Sequence, residues 1–121
     1  MLKREDKNPY LSFLINNKKY IIHSKDVKEI IKDYEIYPLP FVPKYVKGIL
    51  DYFGKPYTII DLSLFYKNSE CSTKCFIITN DNNDIALQID SPLEFTEENA
   101  KFKLIDLNKI NSKLESEIKE R

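Results

Sequence analysis

Apolar and polar positions alternate near the start of the chain, where Leu11, Phe13 and Ile15 are interleaved with Ser12 and Asn16. After Asn17-Lys18, Tyr20 and Ile22 alternate with Lys19 and His23. A period of two predicts a β-hairpin with one wet face. The polar residues before it, ending Lys7-Asn8-Pro9, predict a mobile leader over 1–9, with order beginning near Tyr10. A second strand pair is expected where Cys75 to Thr79 is apolar on both faces and Ile85, Leu87 and Ile89 alternate with Ala86, Gln88 and Asp90. The intervening Asn80-Asp81-Asn82-Asn83-Asp84 is turn chemistry, because short polar side chains tolerate left-handed backbone and bond nearby amides. Tyr57 to Ile60 adds a further β-branched and aromatic strand ending at Asp61. Five or more short strands with little helix between them argue for a barrel or sandwich. The period changes at the C-terminus, where Leu107, Ile110, Leu114 and Ile118 recur at helical spacing and Asp106 stands where a first-turn amide needs a cap. The expected organisation is a folded unit over 10–106 and a helix over 107–121 packed on it.

Composition narrows the function classes. At 121 residues the chain suits one domain with one core, or two small subdomains sharing surface. Nineteen basic residues balance nineteen acidic ones, interspersed along the chain, so no basic face advertises a phosphate backbone. Cys71 and Cys75 match neither the CxxC redox spacing nor a four-ligand zinc set, and no metal or cofactor is expected. No charged-then-apolar leader and no apolar run of about 18 residues is present, which predicts a cytoplasmic protein without membrane insertion.

Catalytic motifs fail one by one. The two glycines, Gly48 and Gly54, cannot write a dinucleotide fingerprint. Gly48 through Gly54-Lys55 is the nearest approach to a phosphate loop, but its glycines are separated by five residues rather than four. Pro56 also occupies the place of the magnesium-binding hydroxyl. His23, the sole histidine, falls on the polar face of the hairpin with no nucleophile motif in the chain. Glu94, Glu97 and Glu98 with Asn99 read as the acidic start of a helical turn. Pro38, Pro40 and Pro43 run between two apolar blocks and read as a rigid connecting loop rather than a free ligand for an SH3-type domain.

The order of strands, prolines and glycines resembles the CheW-like domain of bacterial chemotaxis coupling proteins. Phe13, Tyr20 and Ile22 fit its hairpin pattern "F-x-L…Y-x-I", and Val27-Lys28-Glu29-Ile30 fits "V-x-E-I". Pro40, Pro43, Tyr45-Val46 and Gly48-Ile49 follow "P-x-x-P-x-Y-V-x-G-V". From Gly48, the frame "G-V-x-N-L-R-G-x-x-x-P-x-I-D-L" is kept to the residue through Ile60-Asp61-Leu62. Leu87-Gln88-Ile89-Asp90 and the acidic Thr96-Glu97-Glu98-Asn99 complete the series. The resemblance implies a mainly β fold, a pair of small SH3-like β-barrels followed by a C-terminal α-helix. It also implies a non-enzymatic adaptor that couples the regulatory domain of a CheA-type histidine kinase to the cytoplasmic tip of chemoreceptors. Val27, Glu29 and Ile30 with Gly48, Ile49, Asp51, Tyr52, Phe53, Gly54 and Asp61 then become the partner-binding residues.

Three signature positions depart from the pattern: Asp51 for asparagine, Phe53 for arginine and Thr58 for proline. Phe53 matters most, since an apolar ring cannot make the fixed, charged hydrogen bonds of a guanidinium. The receptor-side contact is therefore expected to differ. The chain also runs almost directly from Thr96–Asn99 to Phe102-Lys103-Leu104-Ile105, which shortens the second barrel. An unpaired strand edge there predicts self-association into a homo-oligomer. The competing class is a single-stranded nucleic-acid-binding small β-barrel, since eight tyrosines and seven phenylalanines could build a stacking platform. Such a barrel should interleave basic and aromatic residues on one strand face, and no run of that kind is written in the chain.

Overall fold

In the computed structural model, which describes residues 8–97 and 102–119, the first alternating run forms β1 (Tyr10–Ile15) and β2 (Lys18–His23). They pair antiparallel with Phe13 opposite Tyr20. The connection is Asn16-Asn17, one residue earlier than expected, and both lie in the left-handed region at φ 51 and 63. Two such residues make the primed turn whose twist suits antiparallel strands, and asparagine tolerates it better than other side-chain-bearing residues. The hairpin's second face is not wet along its length: Ser12 is fully buried, its hydroxyl donating to the Glu94 carbonyl at 3.0 Å. Ahead of the hairpin, the Asn8 and Pro9 carbonyls accept bonds from Ser24, so this end of the expected leader is tied down. The rest of the leader, 1–7, lies outside the described residues.

A short 3-10 turn (Ser24–Asp26) leads into β3 (Val27–Lys32), and a proline-rich loop carries the chain to β4 (Val46–Tyr52) and β5 (Lys55–Asp61). The single-turn helix α1 (Leu62–Phe65) follows, then β6 (Cys75–Thr79), β7 (Ile85–Ile89), β8 (Ser91–Thr96), β9 (Lys103–Leu104) and α2 (Leu107–Lys119). Glu94, expected in a helical turn, sits instead in β8, and Glu97 follows in a bend; Glu98 and Asn99 lie outside the described residues. Strand geometry wins there because β1 offers a free edge. Pro92, which has no N–H to give, sits beside the register shift where the ladder is already broken.

Two sheets result, one ordered β8-β1-β2-β9 and the other β3-β6-β7-β5-β4. Strands β6 and β7 are buried along their whole length because their sheet is apolar on both faces. One face, with Ile77, Ile85 and Leu87, joins Phe13, Ile15 and Ile22 of the first hairpin and Ile105, Leu107 and Ile110 at the C-terminus in the main core. The other, with Leu50, Ile59, Phe76 and Ile78, curls around a smaller core containing Tyr52 and Tyr57. The five-stranded sheet does not close by backbone pairing, since β3 and β4 remain its outer strands. It closes through side chains: the Tyr52 hydroxyl on β4 donates to Glu29 on β3, and the Tyr34 ring lies 6.3 Å from that of Tyr52. The shortened partner is the four-stranded sheet, whose last strand is only two residues long and runs parallel to β2.

Helix α2 docks as its periodicity requires. The Asp106 carboxylate accepts from the Asn108 amide at 2.9 Å, an N-terminal cap. Leu107 and Ile110 are buried, Leu114 is packed against the main core, and the Tyr45 hydroxyl donates to Glu117 at 2.6 Å. The Ile118 side chain lies outside the described part of the helix.

Candidate functional site

The segment that the sequence singles out folds into the β4–β5 hairpin, and each of its unusual residues has a local cause. Gly48 has φ 140 and is buried; a β-carbon there would stand 2.2 Å from the Tyr37 carbonyl oxygen. That close approach exists because Tyr37 forms an isolated bridge with Ile49, trading two backbone bonds of 2.8 Å across the outer edge of β4. Phe53 and Gly54 are the two turn residues, at φ 52 and 83, between Tyr52 and Lys55. Gly54 has open space around its α-carbon and is needed for conformation alone. Phe53 adopts the same left-handed region at a steric cost and leaves 85% of its surface exposed, its ring set edge-on to Tyr52 at 4.8 Å.

Charge around this tip is uneven. Glu29, Glu35 and Asp51 are exposed, and among the described residues none is part of an ion pair. The neighbouring carboxylate of Glu35, and to a lesser degree that of Asp51, raises the Tyr37 pKa. Tyr52 is pushed up to about 12, first by its bond to Glu29 and then by burial. On the cationic side, Lys55 is held by Asp84 at 3.1 Å and Lys28 lies 5.9 Å above the Tyr52 ring.

The structure divides the expected partner-binding residues into two groups. Glu29, Asp51, Phe53 and Gly54 are exposed, and Ile30 and Ile49 are half-buried. Val27 is in the main core, Gly48 lies against Tyr37, and Tyr52 is a buried closure residue. Asp61 is fully buried, accepting from the Leu64 amide at 3.2 Å as the cap of α1 and from the Cys71 amide at 2.9 Å, with the Lys47 ammonium 3.9 Å away. These four residues are part of the framework rather than of its surface. Tyr37, 54% exposed, belongs to the site and was missed. In sequence it reads as one aromatic residue in a proline-rich connection, with no periodicity to place it on the β4 edge.

Asp61 also organises the loop after α1. Cys71 is buried there: its thiol donates to Asp90 at 3.3 Å, and Gln88 donates to the Cys71 and Thr73 carbonyls. Burial, together with the neighbouring carboxylates Asp90 and Asp61, pushes the thiol up to about 12, which suits an inert cysteine. Among the described residues no group of three or more His, Cys, Asp or Glu is arranged to hold a metal ion, and no helix is long and apolar enough to cross a membrane.

A family model described as the CheW-like domain matches residues 9–101. No curated protein matches the chain. Among solved structures, the crystal structure of the scaffolding protein TtCheW from Thermoanaerobacter tengcongensis superposes with a TM-score of 0.63 at 24% identity, over 73% of this chain and 65% of that one. The chain thus spans just under two thirds of that protein's length, and the likeness is one of fold. With that family model matching residues 9–101 of its 121, this chain belongs to the CheW-like domain family.

Proposed function

We propose that this protein is a cytoplasmic, non-enzymatic scaffold that couples a CheA-type histidine kinase, through its regulatory domain, to a chemoreceptor cytoplasmic tip. One observation carries the reading: the signature segment of the family is built as a β-hairpin whose tip, Asp51, Phe53 and Gly54, is exposed to solvent. The buried remainder of the signature fixes that tip in place. Val27, Glu29, Ile30, Gly48, Ile49, Asp51, Tyr52, Phe53, Gly54 and Asp61 act together, the exposed ones touching the partner and the buried ones positioning them. Two-sided binding suits a scaffold of two sheets sharing one core, since each sheet offers its own outer surface. Self-association through the shortened four-stranded sheet belongs to the same reading.

The test is a side-by-side titration against the kinase regulatory domain and a receptor cytoplasmic fragment from the same cell. Binding of the kinase domain is expected; binding of neither protein would reduce the account to a shared fold.

The single-stranded nucleic-acid reading has one observation in its favour, a row of rings and lysines. Tyr20 stacks on Tyr66 at 5.6 Å, Tyr66 meets Phe65, and Phe65 meets Tyr45, with Lys103 over Tyr66 and Lys113 over Phe65. The ring faces are spent on each other and on lysine, and Tyr20 and Tyr45 are buried, so the row does not offer open faces to successive bases. A labelled oligothymidylate is expected to show no anisotropy change at moderate salt.

A further inference from the structure

We infer that the β4–β5 tip is a docking surface for a receptor-side segment that offers an apolar socket rimmed by lysine or arginine. The inference rests on the scaffold reading and names the chemistry of the partner at that site. Two properties of the tip point to an apolar contact. Phe53 is exposed over 85% of its surface at φ 52, a position where Asn or Gly would fold more easily. The outward face of the same hairpin continues from it through Pro56, exposed, to the half-buried cross-strand pair Ile49 and Thr58, with Tyr37 at the edge. An aromatic anchor beside a shallow apolar strip is the usual centre of a binding patch, and its energy comes from seating the ring in a pocket.

The charges decide what surrounds that pocket. Asp51 and Glu35 flank the outward face, and Glu29 lies behind Tyr52 on the other side. None of the three has an ion-pair partner among the described residues, whereas Lys55 is paired with Asp84 and Lys28 lies over the Tyr52 ring. A partner with carboxylates at its rim would be repelled by this field, and one with guanidinium or ammonium groups would be steered in and held in register.

Binding of the receptor cytoplasmic fragment is measured for the wild type, for Phe53→Asn, and for the pair Asp51→Lys with Glu35→Lys, each at low and high salt, with the kinase regulatory domain titrated in parallel. Phe53→Asn is expected to weaken receptor binding about tenfold or more while its melting temperature rises, which separates lost contact from lost folding. The lysine pair is expected to weaken binding at low salt by about fivefold or more, and added salt to weaken the wild type. Unchanged binding by Phe53→Asn, tighter binding by the lysine pair, or indifference to both the lysine pair and salt overturns the inference. Receptor binding that is unaffected by these variants overturns the inference and leaves the scaffold reading standing; kinase binding without receptor binding, or binding of neither partner, overturns both.

Discussion

Phe53 and Gly48 are both in unusual backbone regions, yet they respond oppositely to substitution. At Phe53 the left-handed turn position costs the ring and gains nothing from packing beyond the edge contact with Tyr52. Phe53→Asn should therefore stabilise the protein by about 1 kcal/mol, read as a raised urea midpoint. At Gly48 a β-carbon would enter the Tyr37 carbonyl at 2.2 Å, with φ 140 adding strain. Gly48→Ala should cost more than about 2 kcal/mol by the same measurement. Sequence spacing shows that both glycines matter, through the preserved frame around them. It does not show why, because the reason at Gly48 is the carbonyl of a residue eleven positions earlier, in a loop without periodicity. The buried Asp61 is a similar case, since the "I-D-L" pattern marks it while its bonds to Leu64, Cys71 and Lys47 depend on how the loop after α1 folds.

Among the elements, the first hairpin, β5, β6, β7 and α2 were legible because each follows a clean period or is bounded by turn residues. Strands β8 and β9 were not, since an edge strand with a proline and a two-residue strand carry almost no pattern of their own and exist through their neighbours. Closure of the five-stranded sheet by Tyr52 and Glu29 was equally invisible, because it joins the two outer strands across three others. Helix α2 is a stabilising element on this account, with Ile110 only 1% exposed. Ile110→Ala should cost about 3 kcal/mol and Asp106→Ala about 1 kcal/mol, as read from chemical denaturation.

For the whole molecule, pH tests the buried polar groups together. The Cys71 thiol rises from 9.0 to about 12 and the Tyr52 hydroxyl from 10.0 to about 12 in the folded protein. Above the lower values the unfolded chain loses these protons and the folded one keeps them, so the unfolded state binds fewer protons and stability falls as pH rises. Unfolding free energy should decline from about pH 9 towards pH 12, and a Cys71→Ala variant should show a shallower decline. Self-association through the shortened four-stranded sheet should also give a light-scattering mass that grows with concentration; a constant monomer mass would remove self-association from the account. The central claim is that the protein bridges two others, and the most direct measurement is the mass of a mixture. The kinase regulatory domain, a receptor cytoplasmic fragment and this protein are passed together through size-exclusion chromatography with light scattering. A single species containing all three, absent when this protein is left out, is the predicted result, and separate elution of kinase domain and receptor fragment in its presence would contradict it.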